Sequence, residues 1–381
     1  MHPAPIPQPS SDLQHLSGSR VALLFQAGGL TQLGPIAKSH GATRALLVTD
    51  AGIVEAGHVE RAMRSLYNAG VVTRLYDGVA ENPTTDHVAR GLAIATKFQV
   101  DFIIGLGGGS SMDCAKGVNF LLTNGGQMQD YWGVNKAPKP MLPFIAIPTT
   151  AGTGSEAQSA ALITDPQTHA KMACLDVKAT ARVAILDTDL TATQPRKVAA
   201  ATGIDAISHA VETAASTNRN DVSRAFSRQA WQLLSSSFVR SLDHPEDAAA
   251  RQDMLLGAHL AGCAIENSML GAAHACANPL TATFGIVHGH AVGLMLPHVV
   301  RFNSNNSHFP YADLEPDART LASKLDAILQ AAKLPRRLAD CSVTDLPLEA
   351  LSQSAASQWT ANFNPRKLTA DDLAELYTMA K

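Results

Sequence analysis

Cysteines, aromatic residues and charge are all sparse in this 381-residue chain, and each scarcity removes a class of function. The five cysteines, Cys114, Cys174, Cys263, Cys276 and Cys341, form no C-x-x-C pair and are odd in number, which argues against a disulfide framework and for reduced, intracellular thiols. No basic segment leads into an apolar stretch near the start, so a signal peptide is not expected, and the cytoplasm is the default location. Charged residues make up 17% with a net charge of −3, which gives no electrostatic case for a nucleic-acid partner or an anionic membrane. With 46% hydrophobic residues, the length suits two domains, each with its own core.

Missing too is a full G-x-G-x-x-G, yet the first half still reads as a nucleotide-binding α/β unit. Pro3, Pro5, Pro7 and Pro9 suit an extended chain, so residues 1–19 are expected to form a disordered arm. From Val21 the pattern alternates: a strand to Phe25, a turn at Gly28-Gly29, a strand 44–49, a helix 54–69, a strand 71–76, a helix 84–98 and a strand 100–105. Strands separated by helices of this length imply a parallel sheet with right-handed crossovers. Asp50 ends the second strand about 20 residues after the glycine turn, where a dinucleotide fold places its ribose-binding acid; an ordinary strand-end carboxylate is the competing reading. Facing a ribose, it favours NAD over NADP. Asn82, before Pro83-Thr84, lies at a strand's carboxyl end, where open α/β sheets bind ligands.

Directly after the strand 101–105 come Gly107, Gly108, Gly109 and Ser110, opening a helix from Ser111 towards Leu122. Glycines let backbone approach a phosphate, and a helix start supplies free N–H groups. This is the expected pyrophosphate turn. Ser110 and Asp113 also fit the S-x-x-D capping pattern, so simple capping competes. A further buried strand, 143–147, delivers Pro148-Thr149-Thr150-Ala151-Gly152-Thr153-Gly154, whose small hydroxyl residues suit ribose or phosphate oxygens. The strand 183–186 is expected to close the sheet, with 187–195 as the link and the dinucleotide-binding domain spanning 20–192.

Residues 193–381 read as helical. Asp205 and His209 are four apart in Gly203-Ile204-Asp205-Ala206-Ile207-Ser208-His209, so one helix face presents both to a single ion. From Asn267 to Val300 there is no Asp, Glu, Lys or Arg, yet His274, His288, His290 and His298 all fall there. Pro279, Gly285, Gly289, Gly293 and Pro297 are expected to cut this apolar span into short pieces, which makes it protein core rather than a membrane helix. Buried imidazoles in one apolar region need a partner. Asp205, His209, His274 and His288 are the candidate shell for a divalent metal, Fe²⁺ or Zn²⁺ by donor type. Glu212, seven residues after Asp205, either supports this shell or is a plain surface carboxylate.

Taken together, G-I-D-A-x-S-H-A-x-E at 203–212, the histidines at 274, 288 and 298, the G-G-G-S-S-M-D-C-A-K at 107–116 and the P-T-T-A-G-T-G-S-E at 148–156 resemble the iron-containing alcohol dehydrogenase family. The resemblance covers roughly residues 20–303. It implies a Rossmann-like parallel-sheet domain followed by an all-helical domain, with the active site in the cleft between them, a nicotinamide cofactor, a small alcohol or aldehyde substrate and a homo-oligomer of two or more chains. It also implies cofactor contacts at Thr149, Thr150, Thr153 and Lys171, and hydride transfer from an alcohol polarised by the metal. Many members carry a second histidine four residues after the one matching His274; here Asn278 stands there, and an amide carries no proton at neutral pH. No side-chain base is assigned. Two rivals share the plan: a metal-dependent sugar-phosphate cyclase, which needs a Lys/Arg cluster that the 267–300 segment lacks, and a catalytically idle nucleotide-binding relative.

Overall fold

A computed structural model describes residues 10–168, 170–304 and 309–381. The prolines at 3, 5, 7 and 9 lie outside the described residues. Residues 10–19 are no free arm: Ser10 N–H donates to Phe25 O, and β1 (Gln14–His15) pairs antiparallel with β2 (Ala22–Phe25).

The chain forms two compact units, one of residues 10–150 with Ser155–Gln194, the other of Ala151–Gly154 with Pro195–Lys381. The first is built on a seven-stranded sheet. Its other strands are β3 (Arg44–Asp50), β4 (Val72–Val79), β5 (Phe102–Gly107), β7 (Phe144–Pro148) and β10 (Val183–Leu186), in the order β1-β2-β10-β7-β5-β3-β4. Six of the seven strands run parallel, and the central ones are buried along their whole length. A strand covered on both faces reads as a continuous apolar run, and that is why F-I-I-G-L-G, F-I-A-I-P and V-A-I-L occupy the centre. For the same reason β10 does not close the sheet as expected; it inserts between β2 and β7.

The crossover helices are α1 (Leu33–Ser39), α2 (Ala51–Glu55), α3 (His58–Asn68), α4 (Thr85–Phe98) and α5 (Gly109–Asn124). The single helix expected over 54–69 is split, because Gly57 adopts a left-handed conformation (φ 77°) that ends α2 and starts α3. A second, three-stranded sheet, in the order β6-β9-β8, was not legible as a separate element: β6 (Gly133–Val134), β8 (Ala160–Thr164) and β9 (Lys171–Leu175). A short helix, α6 (Thr188–Thr191), follows β10.

The second unit is helical: α7 (Arg196–Ala215), α8 (Asp221–Asp243), α9 (Ala248–Glu266), α10 (Ala272–Phe284), α11 (His288–Asn303), α12 (Ala318–Ala331), α13 (Leu348–Ala356) and α14 (Ala370–Met379). Helix α7 is buried on every side from Gly203 to Ala215, which marks a core helix. The apolar span is cut only once, at Gly285 (φ 67°); Pro279 and Pro297 lie inside α10 and α11. Gly289 and Gly293 serve packing instead of breakage. A Cβ at Gly289 would sit 1.9 Å from Ala201 O, and one at Gly293 would sit 2.6 Å from Ile204, so α11 lies against α7 at van der Waals limits.

Candidate metal centre and cofactor turn

Close approach of α11 to α7 has a chemical consequence, since His288 opens α11 and Asp205 directly follows Ile204, one turn past Ala201, on α7. His209 Nε2, His274 Nε2 and His288 Nε2 lie 3.4, 3.3 and 3.8 Å from one atom, Asp205 Oδ1. A tetrahedral ion bonded at about 2.0–2.1 Å spaces its donors roughly 3.3–3.4 Å apart. Donor atoms of Asp205, His209 and His274 are mutually within 4.8 Å, and all three side chains are buried. The His209 and His274 rings stack with centroids 5.0 Å apart, and the His288 ring is tilted against His274 at 5.4 Å.

Two of these buried atoms, Asp205 Oδ1 and His274 Nε2, have no hydrogen-bond partner among the described residues. Leaving buried polar atoms unpaired is costly, so the set fits a divalent cation that all four would hold. Electrostatics agree. Burial pushes the Asp205 carboxyl up, but His209, His288 and His274 together outweigh it and hold it well below the usual carboxylate range. Burial lowers His209. Burial also works against a charged His274, yet Glu212 and Asp205 on either side raise it to about 9. The pocket is thus rich in negative charge and calls for a positive one.

Glu212 is no surface carboxylate. Its Oε1 accepts from the Ala273 N–H at 2.7 Å, capping the start of α10, and its Oε2 is paired with His274 Nδ1.

In the α/β unit, two glycine turns compete for a phosphate. The first is already filled: the carboxylate of Asp187 accepts from Gly28 N–H at 2.8 Å and Leu30 N–H at 3.0 Å, doing for that turn what a phosphate would do. The second turn has no such occupant. Gly107 (φ 150°) leaves β5, Gly108 is the extended N-cap, and α5 starts at Gly109, two residues earlier than expected, with no side-chain cap. Ser110 therefore does not cap the helix. Thr149 N–H donates to Gly107 O at 3.0 Å, and a Cβ at Gly108 would sit 3.6 Å from Thr150 Oγ1. The buried hydroxyls of Thr149 and Thr150 have no partner among the described residues. Unpaired buried donors beside an uncapped helix start fit a phosphate- or ribose-bearing group.

Asp50 borders the same turn. Its Oδ2 accepts from Ser111 Oγ at 3.1 Å, and its Oδ1 caps α2 through Ile53 N–H at 3.2 Å. Asn82 and Lys171 meet each other: Lys171 Nζ donates to Asn82 Oδ1 at 3.3 Å, beside a bridge between Thr84 and Thr164.

Other sequence expectations resolve differently. Asp113 is committed inside the fold, accepting from Ser155 Oγ at 2.7 Å, while the fully buried Lys116 donates to Ser155 O, Ser155 Oγ and Ala160 O at 2.7, 3.0 and 2.8 Å. Burial accordingly raises the Asp113 carboxyl despite the lysine. Gly152 and Gly154, in the loop that carries Thr153, have a packing role. A Cβ at Gly152 would sit 2.4 Å from Thr202 Cβ, and one at Gly154 would sit 2.6 Å from Gly262 Cα, so these glycines seat the loop on α7 and α9. Thr153 belongs to the same seated stretch. Gly152→Val is expected to overpack against Thr202, one turn before Asp205, costing about 1–3 kcal/mol; chemical denaturation checks it, and an unchanged midpoint would refute the packing role.

Residues 21–188 match the family described as iron-containing alcohol dehydrogenase, and residues 199–381 match the C-terminal family of the Fe-containing alcohol dehydrogenases. The chain belongs to the iron-containing alcohol dehydrogenase family. It is 34% identical to alcohol dehydrogenase 4 of Schizosaccharomyces pombe, over 94% of this chain and 87% of that one. It is 32% identical to the NAD-dependent methanol dehydrogenase of Bacillus methanolicus, over 93% and 97%. Among solved structures, an alcohol dehydrogenase from Oenococcus oeni superposes with a TM-score of 0.90 at 30% identity, covering 94% of this chain and 98% of that one. A sulfoacetaldehyde reductase from Bifidobacterium kashiwanohense in complex with NAD⁺ gives 0.87 at 27%, covering 95% and 97%. As a member of this family the chain is an alcohol dehydrogenase. No helix among the described residues is long and apolar enough to cross a membrane.

Proposed function

We propose that this alcohol dehydrogenase interconverts a small alcohol and its aldehyde or ketone with NAD, using a divalent ion held by Asp205, His209, His274 and His288. The observation that carries this reading is the convergence of three imidazole Nε2 atoms on Asp205 Oδ1 at 3.3–3.8 Å. An ion held there supplies a Lewis acid for the substrate oxygen as hydride moves between carbon and nicotinamide. Three nitrogens and one oxygen suit Fe²⁺ and Zn²⁺ alike.

The chain's own residues do the rest. Burial of Asp205, His209 and His274 keeps water from competing for the donors. The turn Gly107-Gly108-Gly109-Ser110, with Thr149 and Thr150, takes the pyrophosphate; Thr153, Asn82 and Lys171 are further cofactor contacts in this reading, and Asp113 is a brace for the turn. Asp50 keeps acceptor capacity on both oxygens for a ribose hydroxyl and repels a 2′-phosphate, so NAD is expected over NADP by at least about tenfold in kcat/KM, narrowing in Asp50→Ser. Equal use of the two cofactors would remove Asp50 from this role. Asn278 donates to Gln358 Oε1 at 3.0 Å, an amide pair that orients but moves no proton. The five cysteines are free thiols, in keeping with a reducing cytoplasm. A homo-oligomer completes the reading, tested by mass in solution.

The test is anaerobic loading with Fe²⁺ or Zn²⁺ followed by NADH formation across aliphatic, aromatic and polyol alcohols. Activity that appears with one metal and tracks its content supports the reading; activity indifferent to metal sinks it.

A further inference from the structure

The contacts of Glu212 are more specific than support of a helix end, because its two oxygens face donors of different kinds. Oε1 accepts from Ala273 N–H at 2.7 Å, with His274 N–H next at 3.4 Å. Oε2 meets the imidazole at Nδ1. Beyond Gly271, Asn303 and Asn364 form a reciprocal amide pair, each donating to the other at 3.0 and 2.8 Å. Gly271 leaves the space between: a Cβ there would sit 3.2 Å from Glu212 Oε1 and 3.3 Å from Asn364 Oδ1. Both carboxylate oxygens are thus held by donors, Oε1 by backbone and Oε2 by the imidazole.

Resting on the metal reading above, we propose that Glu212 is a positioning residue that sets the tautomer of His274. An ionised carboxylate only accepts, so Nδ1 keeps its proton whatever Nε2 does, and Nε2 is the nitrogen that gives up its proton and would turn its lone pair to an ion held with Asp205 Oδ1. The backbone N–H groups of Ala273 and His274 cannot exchange donor for acceptor, whereas an imidazole can. That asymmetry makes the substitution Glu212→Gln informative. The new amide has one oxygen and one NH₂; the oxygen stays on the backbone donors, and the NH₂ faces Nδ1. His274 answers by moving its proton to Nε2, the wrong nitrogen for a ligand. Glu212→Ala behaves otherwise. It removes the cap of α10 and leaves a cavity, but it offers Nδ1 no donor, so the correct tautomer persists with water as acceptor.

The two variants therefore fall in opposite orders for two measurements. Thermal unfolding of the metal-free proteins should rank the parent first, then Glu212→Gln, then Glu212→Ala. Co²⁺ affinity, from the visible spectrum of the bound ion in competition with a chelator, should rank the parent first, then Glu212→Ala with a loss under about tenfold, then Glu212→Gln with a loss of about 10–100-fold and an altered spectrum. Glu212→Gln binding Co²⁺ as the parent does, or both measurements falling in the same order, would overturn the proposal and leave Glu212 a structural cap. His209→Ala runs alongside. If that variant still takes up stoichiometric Co²⁺ at parental affinity, the metal reading itself fails; if it loses the ion while Glu212→Gln does not, only the tautomer proposal fails.

Discussion

His209→Ala is expected to abolish alcohol oxidation and metal uptake together while leaving NAD binding intact. A Lewis acid at a reacting oxygen contributes several kcal/mol to transition-state stabilisation, and each 1.36 kcal/mol is tenfold in rate, so kcat should fall on the order of 10³-fold or more. The separation of effects follows from the architecture. His209 lies on α7 in the helical unit, whereas Gly107, Gly108, Thr149 and Thr150 belong to the α/β unit. Alanine also removes a buried imidazole from beside Asp205, so that carboxylate loses the strongest of the influences holding its pKa down. Metal analysis of the purified variant, steady-state rates and NAD titration by fluorescence check the three parts. Retained metal with lost activity would mean that His209 acts on the substrate and not on the ion.

Asp187→Ala carries the largest expected loss of stability, about 3–5 kcal/mol. The side chain is fully buried and accepts from Gly28 N–H, Leu30 N–H and Asp189 N–H at 2.8, 3.0 and 3.0 Å, with Arg61 at 3.7 Å. Alanine strands two backbone donors in the Gly28 turn and one at the start of α6, each costing about 1–3 kcal/mol when left unmade, partly relieved by water reaching the half-exposed Arg61 side. Asp187→Asn keeps one acceptor and should lose less. Urea unfolding of both variants gives the comparison. A loss under about 1 kcal/mol for alanine would show that the Gly28 turn holds itself, and the phosphate turn could then no longer be told apart by its lack of an internal carboxylate.

What could be read from sequence, and what could not, follows from the range of the interactions involved. Parallel strands announce themselves because burial on both faces leaves nothing but apolar residues, and V-A-I-L at Val183–Leu186 has the same bounds in the structure. Its position within the sheet was invisible, since strand order depends on contacts between distant segments. Asp205 and His209 were legible through their helical spacing, and His274 and His288 through their place in a charge-free run; the structure brings the four donors together. Glu212 was ambiguous because its task requires α10 to start beside it, a contact 61 residues away in sequence. The packing role of Gly152 and Gly154 was invisible in one dimension, because each is where the loop meets a helix distant in sequence. Asp113 reads as a cap at the start of α5, yet a buried lysine one turn on draws it inward with Ser155.

The central claim, that Asp205, His209, His274 and His288 would hold one ion on which alcohol oxidation depends, is tested most directly by titrating metal-free enzyme with Fe²⁺ under anaerobic conditions and following NADH produced from a primary alcohol. The account predicts no NADH without metal, a rate that climbs in proportion to added ion, and a plateau at one ion per chain. Full activity in the metal-free protein, or a plateau unrelated to the number of chains, would contradict it.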